Sequence, residues 1–203
     1  MLYGFDVIHG YRTIFPIPLG ETASWDLAGV ERNAAIAAAE ARSAGVHWTF
    51  APMVDIARDP RWGRIMEGSG EDTFLGSKMA FARVRGFQGL DYSANNRVLA
   101  TAKHWVGYGA AEAGRDYNTT NLSERALREI YFPPFHAALD AGVGSFMTSF
   151  NDLDGVPATA NPFVLKQVLR GEWKFDGLVV SDYTAVMELM FHGLAATEAD
   201  AAA

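Results

Sequence analysis

Several side chains capable of acid–base, nucleophilic or hydrogen-bonding chemistry stand where apolar runs of this chain end. Asp182 follows Leu178-Val179-Val180-Ser181, which presents a carboxylate at a strand tip. Held there, it can attack an electrophilic carbon. In retaining glycosidases one carboxylate attacks the anomeric carbon, while a second, about 5 to 5.5 Å away, protonates the leaving oxygen and later activates water. The competing role for an isolated strand-end Asp is capping the helix that follows. Lys103-His104 closes another apolar run and supplies donors, and Asp6 closes a third and supplies an acceptor. Paired sugar hydroxyls use both. As structural alternatives, Lys103 forms an ion pair with Glu71, and His104 is a core histidine satisfied by backbone groups.

Arg58-Asp59-Pro60-Arg61-Trp62-Gly63-Arg64 is a loop, because Pro60 and Gly63 interrupt any regular pattern. Its planar fork suits Arg64 to a bidentate hold on neighbouring hydroxyls or on the attacking carboxylate. Arg58, Asp59, Arg61, Glu71 and Asp72 read as an ion network that stiffens the loop. His9 lies three residues after Asp6 and could join His104 and Asp182 around a metal, but no His-x-His or His-Glu-x-x-His spacing occurs, so no metal is expected. Gly68-Ser69-Gly70 lacks the Lys-Ser/Thr ending of a phosphate loop.

The elements that must carry these residues alternate. Apolar or β-branched runs at Leu2 to Phe5, Val46 to Val54, Val98 to Ala102, Val143 to Phe150 and Leu178 to Val180 read as strands buried on both faces. Between them lie helical patterns. Asp26 to Ala44 is Ala- and Glu-rich, and Thr73 to Gln88 closes at Gly89. Ser123 caps a segment reaching Asp140, which Pro133-Pro134 should kink or divide. Asn161-Pro162 starts a helix through Arg170. Strand–helix alternation with long connections predicts right-handed βαβ units and a parallel sheet. Polar residues at every strand end favour a (β/α)8 TIM-type barrel over a doubly wound sheet. A whole barrel takes about 250 residues and eight strands, so about five βα units are expected here, an incomplete barrel with no interdomain linker.

Composition sets the outer bounds. The 203 residues are 49% hydrophobic and 20% charged, enough apolar mass for one sizeable core. A net charge of −7 with scattered Lys and Arg excludes a nucleic-acid footprint and fits a neutral or weakly polar small molecule. No run approaches the roughly 20 apolar residues of a membrane helix, and the start lacks the pattern of a signal peptide. The chain has no cysteine, which removes thiolate chemistry and disulfides.

Taken in order, Asp6-Val7-Ile8-His9-Gly10, Ala51-Pro52-Met53-Val54-Asp55, Arg58 to Arg64, Gly70-Glu71-Asp72, Lys103-His104, Pro157-Ala158-Thr159 and Val180-Ser181-Asp182 resemble glycoside hydrolase family 3 from about Leu2 to Ala196, and most nearly its bacterial periplasmic β-glucosidases. The resemblance implies part of an N-terminal catalytic barrel spanning residues 1–203, with Asp182 as nucleophile. It implies substrate contacts from Asp6, Arg64, Lys103, His104 and Arg115, and no cofactor. It also implies a retaining β-glucosidase acting on terminal non-reducing β-D-glucosyl residues, in a periplasmic or secreted setting. β-Xylosidase activity is the alternative within the family. Outside it, two rivals are an aldolase using Lys103 as a Schiff-base amine and a non-catalytic sugar-binding barrel. Lys103-His104-Trp105-Val106-Gly107-Tyr108-Gly109 departs from the Lys-His-Phe-Pro-Gly-His-Gly motif of the N-acetylhexosaminidases. In the family the general acid/base is a Glu on a second, downstream domain. These residues alone are therefore expected to be almost inactive, since loss of that group costs about 10² to 10⁴ in rate.

Overall fold

The computed structural model describes residues 1–202. Its main strands are short and parallel. β1 (Gly4–Phe5) pairs with β2 (Trp48–Thr49). β3 (Thr101–Trp105) pairs with β4 (Ser145–Thr148). After a small antiparallel hairpin of β5 (Asp152–Leu153) and β6 (Val156–Pro157), β7 (Leu178–Val180) returns beside β4. β2 reaches β3 through parallel bridges between Trp48 and Leu99 and between Met53 and Lys103. The parallel strands thus lie side by side in chain order, each joined to the next through helix, as the strand–helix alternation predicts.

Two differences from the expected strands affect the site. The third strand begins later than the apolar run Val98 to Ala102, so Lys103 and His104 lie inside it rather than beyond its end. Its pairing with β4 also shifts register, since Lys103 faces Met147 but Trp105 faces Thr148. His104 is the extra residue of a bulge. Alternation would otherwise send the side chains of Lys103 and His104 to opposite faces, and a bulge re-aims one of them.

The helices begin and end where local chemistry requires. Asp26 caps α2 (Leu27–Ser43) by accepting from the Gly29 amide at 2.9 Å. Asp72 caps α3 (Thr73–Gln88) through the Leu75 amide at 2.7 Å, and Gly89 ends it at φ +64°. Gly86 lets α3 lie directly on α2, because a Cβ there would sit 2.4 Å from the Glu31 carbonyl oxygen. Of the kink or division expected at Pro133-Pro134, the structure shows an irregular winding and no break in the chain of helical turns. From Ser123 the chain winds through Glu124–Ala126, widens to a π-type stretch over Leu127–Tyr131, and continues as Phe132–Asp140. The prolines fall in the first turn of that last segment, directly after the π-type widening, where the winding already departs from the regular α pattern. A π-wound helix, Phe163–Glu172, leads back toward β7.

The core lies between strands and helices. The fully buried Trp105 stacks on Phe132 at 5.1 Å and meets Phe135, Phe146 and Trp173 edge-on at 5.1, 5.7 and 4.9 Å. Gln88, also buried, pins α3 to the sheet: its carbonyl oxygen accepts from Ala100 and Gly144, and its amide donates to the Gly142 carbonyl. This rigid base holds the strand ends above it.

Candidate active site

A cavity of about 490 Å³ opens at the C-terminal ends of the parallel strands. Asp6, Arg64, Lys103 and Asp182 line it, with Glu67, Ile8, Trp48, Phe50, Met147 and Tyr183. Residues far apart in sequence thus converge on one space, the usual position of an active site in parallel α/β folds.

Asp182 directly follows β7 and Ser181. One of its carboxylate oxygens accepts from the Tyr183 amide at 2.7 Å. It does not cap the helix that follows, Ala185–Glu188, which has no side-chain cap. Its other oxygen lies 3.4 Å from Nε2 of His104. That nitrogen is buried and makes no hydrogen bond with any described residue.

His104 sits behind the lining rather than in it. Its ring is fully buried, with Nδ1 2.9 Å from Oδ2 of Asp55, and the same oxygen accepts from the His104 amide at 2.8 Å. The backbone is not the partner of the ring, contrary to the core-histidine alternative. Burial pushes the Asp55 carboxyl up to about 7, against the pull of the His104 amide, Arg64 and Lys103. It pushes His104 well below its usual range, helped by the positive charges of Arg64 and Lys103. For this buried pair the uncharged form is the favoured one.

Lys103 does form an ion pair, but not with Glu71. Its ammonium is 2.9 Å from Asp6 and 3.9 Å from Glu67. Arg64 grips Glu67 with two N–H groups, at 2.8 and 3.1 Å. Burial opposes both of these charges, yet the pairing outweighs it, holding Glu67 below and Arg64 above their ordinary values. The Tyr108 ring packs against Arg64 at 5.6 Å and against His104 at 5.2 Å, fixing both. Gly109 permits that approach, since a Cβ there would meet the Ile56 carbonyl oxygen at 2.3 Å.

The remaining sequence candidates lie elsewhere. Arg115 is exposed and is not among the residues lining the cavity. His9 hydrogen-bonds the Phe15 carbonyl oxygen. In the charged loop, Arg61 grips Asp59 while Asp72 is spent as a helix cap. Sequence reasoning overlooked Asp55 as the partner of His104 and Glu67 as the partner of Arg64. Asp55 carried a signal, because it closes an apolar run as Asp6 and Asp182 do.

This geometry can be set beside known proteins. The model of the glycosyl hydrolase family 3 N terminal domain matches residues 1–203. A periplasmic beta-glucosidase of Salmonella typhimurium is 46% identical over 201 residues, which cover 99% of this chain and 26% of that protein. A beta-xylosidase of Formosa agariphila is 40% identical over 199 residues, covering 96% of this chain and 28% of that protein. The crystal structure of a beta-glucosidase from Listeria innocua in complex with isofagomine superimposes with a TM-score of 0.97 at 48% identity, covering all of this chain and 29% of that one. The chain spans between a quarter and a third of the length of these relatives. Its α/β fold, with a parallel sheet and a carboxylate-lined cavity at the strand ends, belongs to glycosyl hydrolase family 3, in the N-terminal domain.

Proposed function

We propose that this chain supplies the nucleophile side of the active site of a retaining β-glycosidase, most directly a β-glucosidase. The observation that carries the reading is the convergence of Asp182 with Asp6, Arg64, Lys103 and His104 around one cavity. A carboxylate oxygen of Asp182 attacks the anomeric carbon and the glycosidic oxygen departs with a proton from the general acid. Water then attacks the same carbon, gives a proton to that base and frees Asp182. Two inversions give retention. Asp6 and Lys103 form an acceptor–donor pair for adjacent hydroxyls, and Arg64 adds a planar fork. Arg115, exposed outside the cavity, has no part in this proposal.

The general acid, in this reading, comes from outside these residues. The other carboxylates lining the cavity are each held by a cation, Asp6 by Lys103 and Glu67 by Arg64. A general acid needs the opposite, a carboxyl kept protonated. We propose a second domain as its source, and closure of the parallel strands into a (β/α)8 barrel. In support, the outermost strands β1 and β7 each pair on one side only among the described residues, and Phe5 and Leu178 are exposed there. A periplasmic or secreted setting follows the name of the Salmonella relative; no described helix is long and apolar enough to cross a membrane. The beta-xylosidase relative makes xylosides the second substrate class to assay.

The test is stereochemical. Proton NMR of an aryl β-glucoside digest by the full-length protein should show the β-anomer of glucose first, with the α-anomer rising only by mutarotation. First release of the α-anomer contradicts the proposal.

A further inference from the structure

Asp55 does not line the cavity, yet it is the hydrogen-bond partner of the His104 ring. It is buried, and its Oδ2 accepts both the backbone amide and the ring Nδ1 of the same residue, at 2.8 and 2.9 Å. Two contacts to one oxygen fix the orientation of the ring as well as its position. The consequence falls on the far ring nitrogen, Nε2, which is buried, unpartnered and 3.4 Å from the Asp182 carboxylate. A bare lone pair there would face a carboxylate oxygen across a low-dielectric gap, which is repulsive. A proton on Nε2 makes it a donor toward the nucleophile.

We propose that Asp55 is a positioning residue: by sharing one proton with Nδ1 of His104 it keeps Nε2 protonated and aimed at the nucleophile side of the cavity. The inference rests on the glycosidase reading above for its effect on rate, but not for the proton itself. Oδ1 of Asp55 has no hydrogen-bond partner among the described residues, so a full negative charge on this carboxyl is poorly compensated and a shared proton relieves it. The charged groups facing the pair are Arg64 and Glu67 from the loop after Asp55, Lys103 from β3, and Asp182 from the end of β7. With the Asp55 carboxyl pushed up to about 7, the pair holds its extra proton below that pH and loses it above. Loss leaves Nδ1–H bonded to the Asp55 carboxylate and Nε2 bare. Activity therefore falls as pH rises through the neutral range.

Asp55→Asn separates this role from simple packing. The obligatory donation from the His104 amide requires the Asn oxygen in the Oδ2 place, so Nδ1 must carry the proton and Nε2 is bare whenever the ring is neutral. In the full-length protein, kcat toward an aryl β-glucoside at pH 6 should fall about 10- to 100-fold, as for loss of other outer partners of functional histidines. The melting temperature should stay close to wild type, and the decline near pH 7 should vanish. A folded variant with kcat, KM and pH profile within twofold of wild type overturns the proposal. Histidine-selective 15N NMR, assigned with His104→Gln, reads the ring directly and needs no variant of Asp55. It should show Nε2 protonated in the wild type at pH 6; a bare Nε2 there overturns the proposal. A wild type that binds glucose with Nε2 protonated but cleaves nothing would sink the glycosidase reading and leave Asp55 in its role.

Discussion

Two regions of this molecule bury charge, and they do so to different ends. Where α1 (Pro18–Ala23) meets α2 and α3, Arg83 and Glu21 pair at 3.1 Å with side chains 4% and 8% exposed. Asn33 donates to Glu21, and Arg83 donates to the Pro18 carbonyl oxygen. Burial lowers the proton affinity of Arg83, and Glu21 counters it only in part. At the strand ends, Lys103 and the Asp55–His104 pair are buried too, with Arg64 half-buried beside them. Both regions leave a polar atom without a partner among the described residues, Nε of Arg83 in one and Nε2 of His104 in the other. What separates them is open space: the first borders a crevice of about 10 Å³, the second a cavity of about 490 Å³. Buried charge and orphan atoms alone do not identify a site. Charge arranged around room for a ligand does.

The comparison can be broken from either side. The largest effect is expected from Asp182→Asn in the full-length protein, a fall in kcat of about 10⁴-fold or more with little change in melting temperature. Near-normal turnover would remove Asp182 from the chemistry. Arg83→Met should do the reverse. Leaving Glu21 buried without its partner costs about 3 to 5 kcal/mol of unfolding free energy, while kcat of the folded protein stays within twofold. A large loss of kcat with unchanged stability would join the two regions functionally. Arg64→Lys keeps the charge but loses the fork, and kcat/KM should drop by about 10- to 100-fold. The smallest effect belongs to Arg115→Ala. An exposed side chain outside the cavity changes stability and kcat/KM by no more than about 0.5 kcal/mol, and a tenfold rise in KM would restore Arg115 as a sugar contact.

Much of this arrangement was legible in the sequence wherever the cause is local. Ser123 caps its helix because its side chain reaches the amide three residues on, and Gly89 stops α3 because it takes a positive φ; Asp72, read as part of the charged loop, caps α3 by the same three-residue reach. The carboxylates at positions 6 and 182 were found because each closes an apolar run. Pairings across the fold were not legible. Lys103 finds Asp6 rather than Glu71, and His104 finds Asp55, because β3 lies beside β2 and β2 beside β1. The bulge at His104 depends on the register with β4, which apolar patterning does not set. The hairpin of β5 and β6 was overlooked although Asp154-Gly155, at φ +50° and +83°, is a strong two-residue turn signal. Its flanking strands are too short to alternate visibly.

The central claim is that Asp182 forms a bond to sugar in the cavity that Lys103 and Arg64 line. Incubating the full-length protein with a 2-fluoro-β-glucoside bearing a good leaving group and mapping the modified peptide by mass spectrometry tests it most directly. The adduct should sit on the peptide containing Val180-Ser181-Asp182, on the carboxylate of Asp182, and be prevented by excess glucose. A stable adduct on any other carboxylate, or inactivation with none on Asp182, would contradict the account.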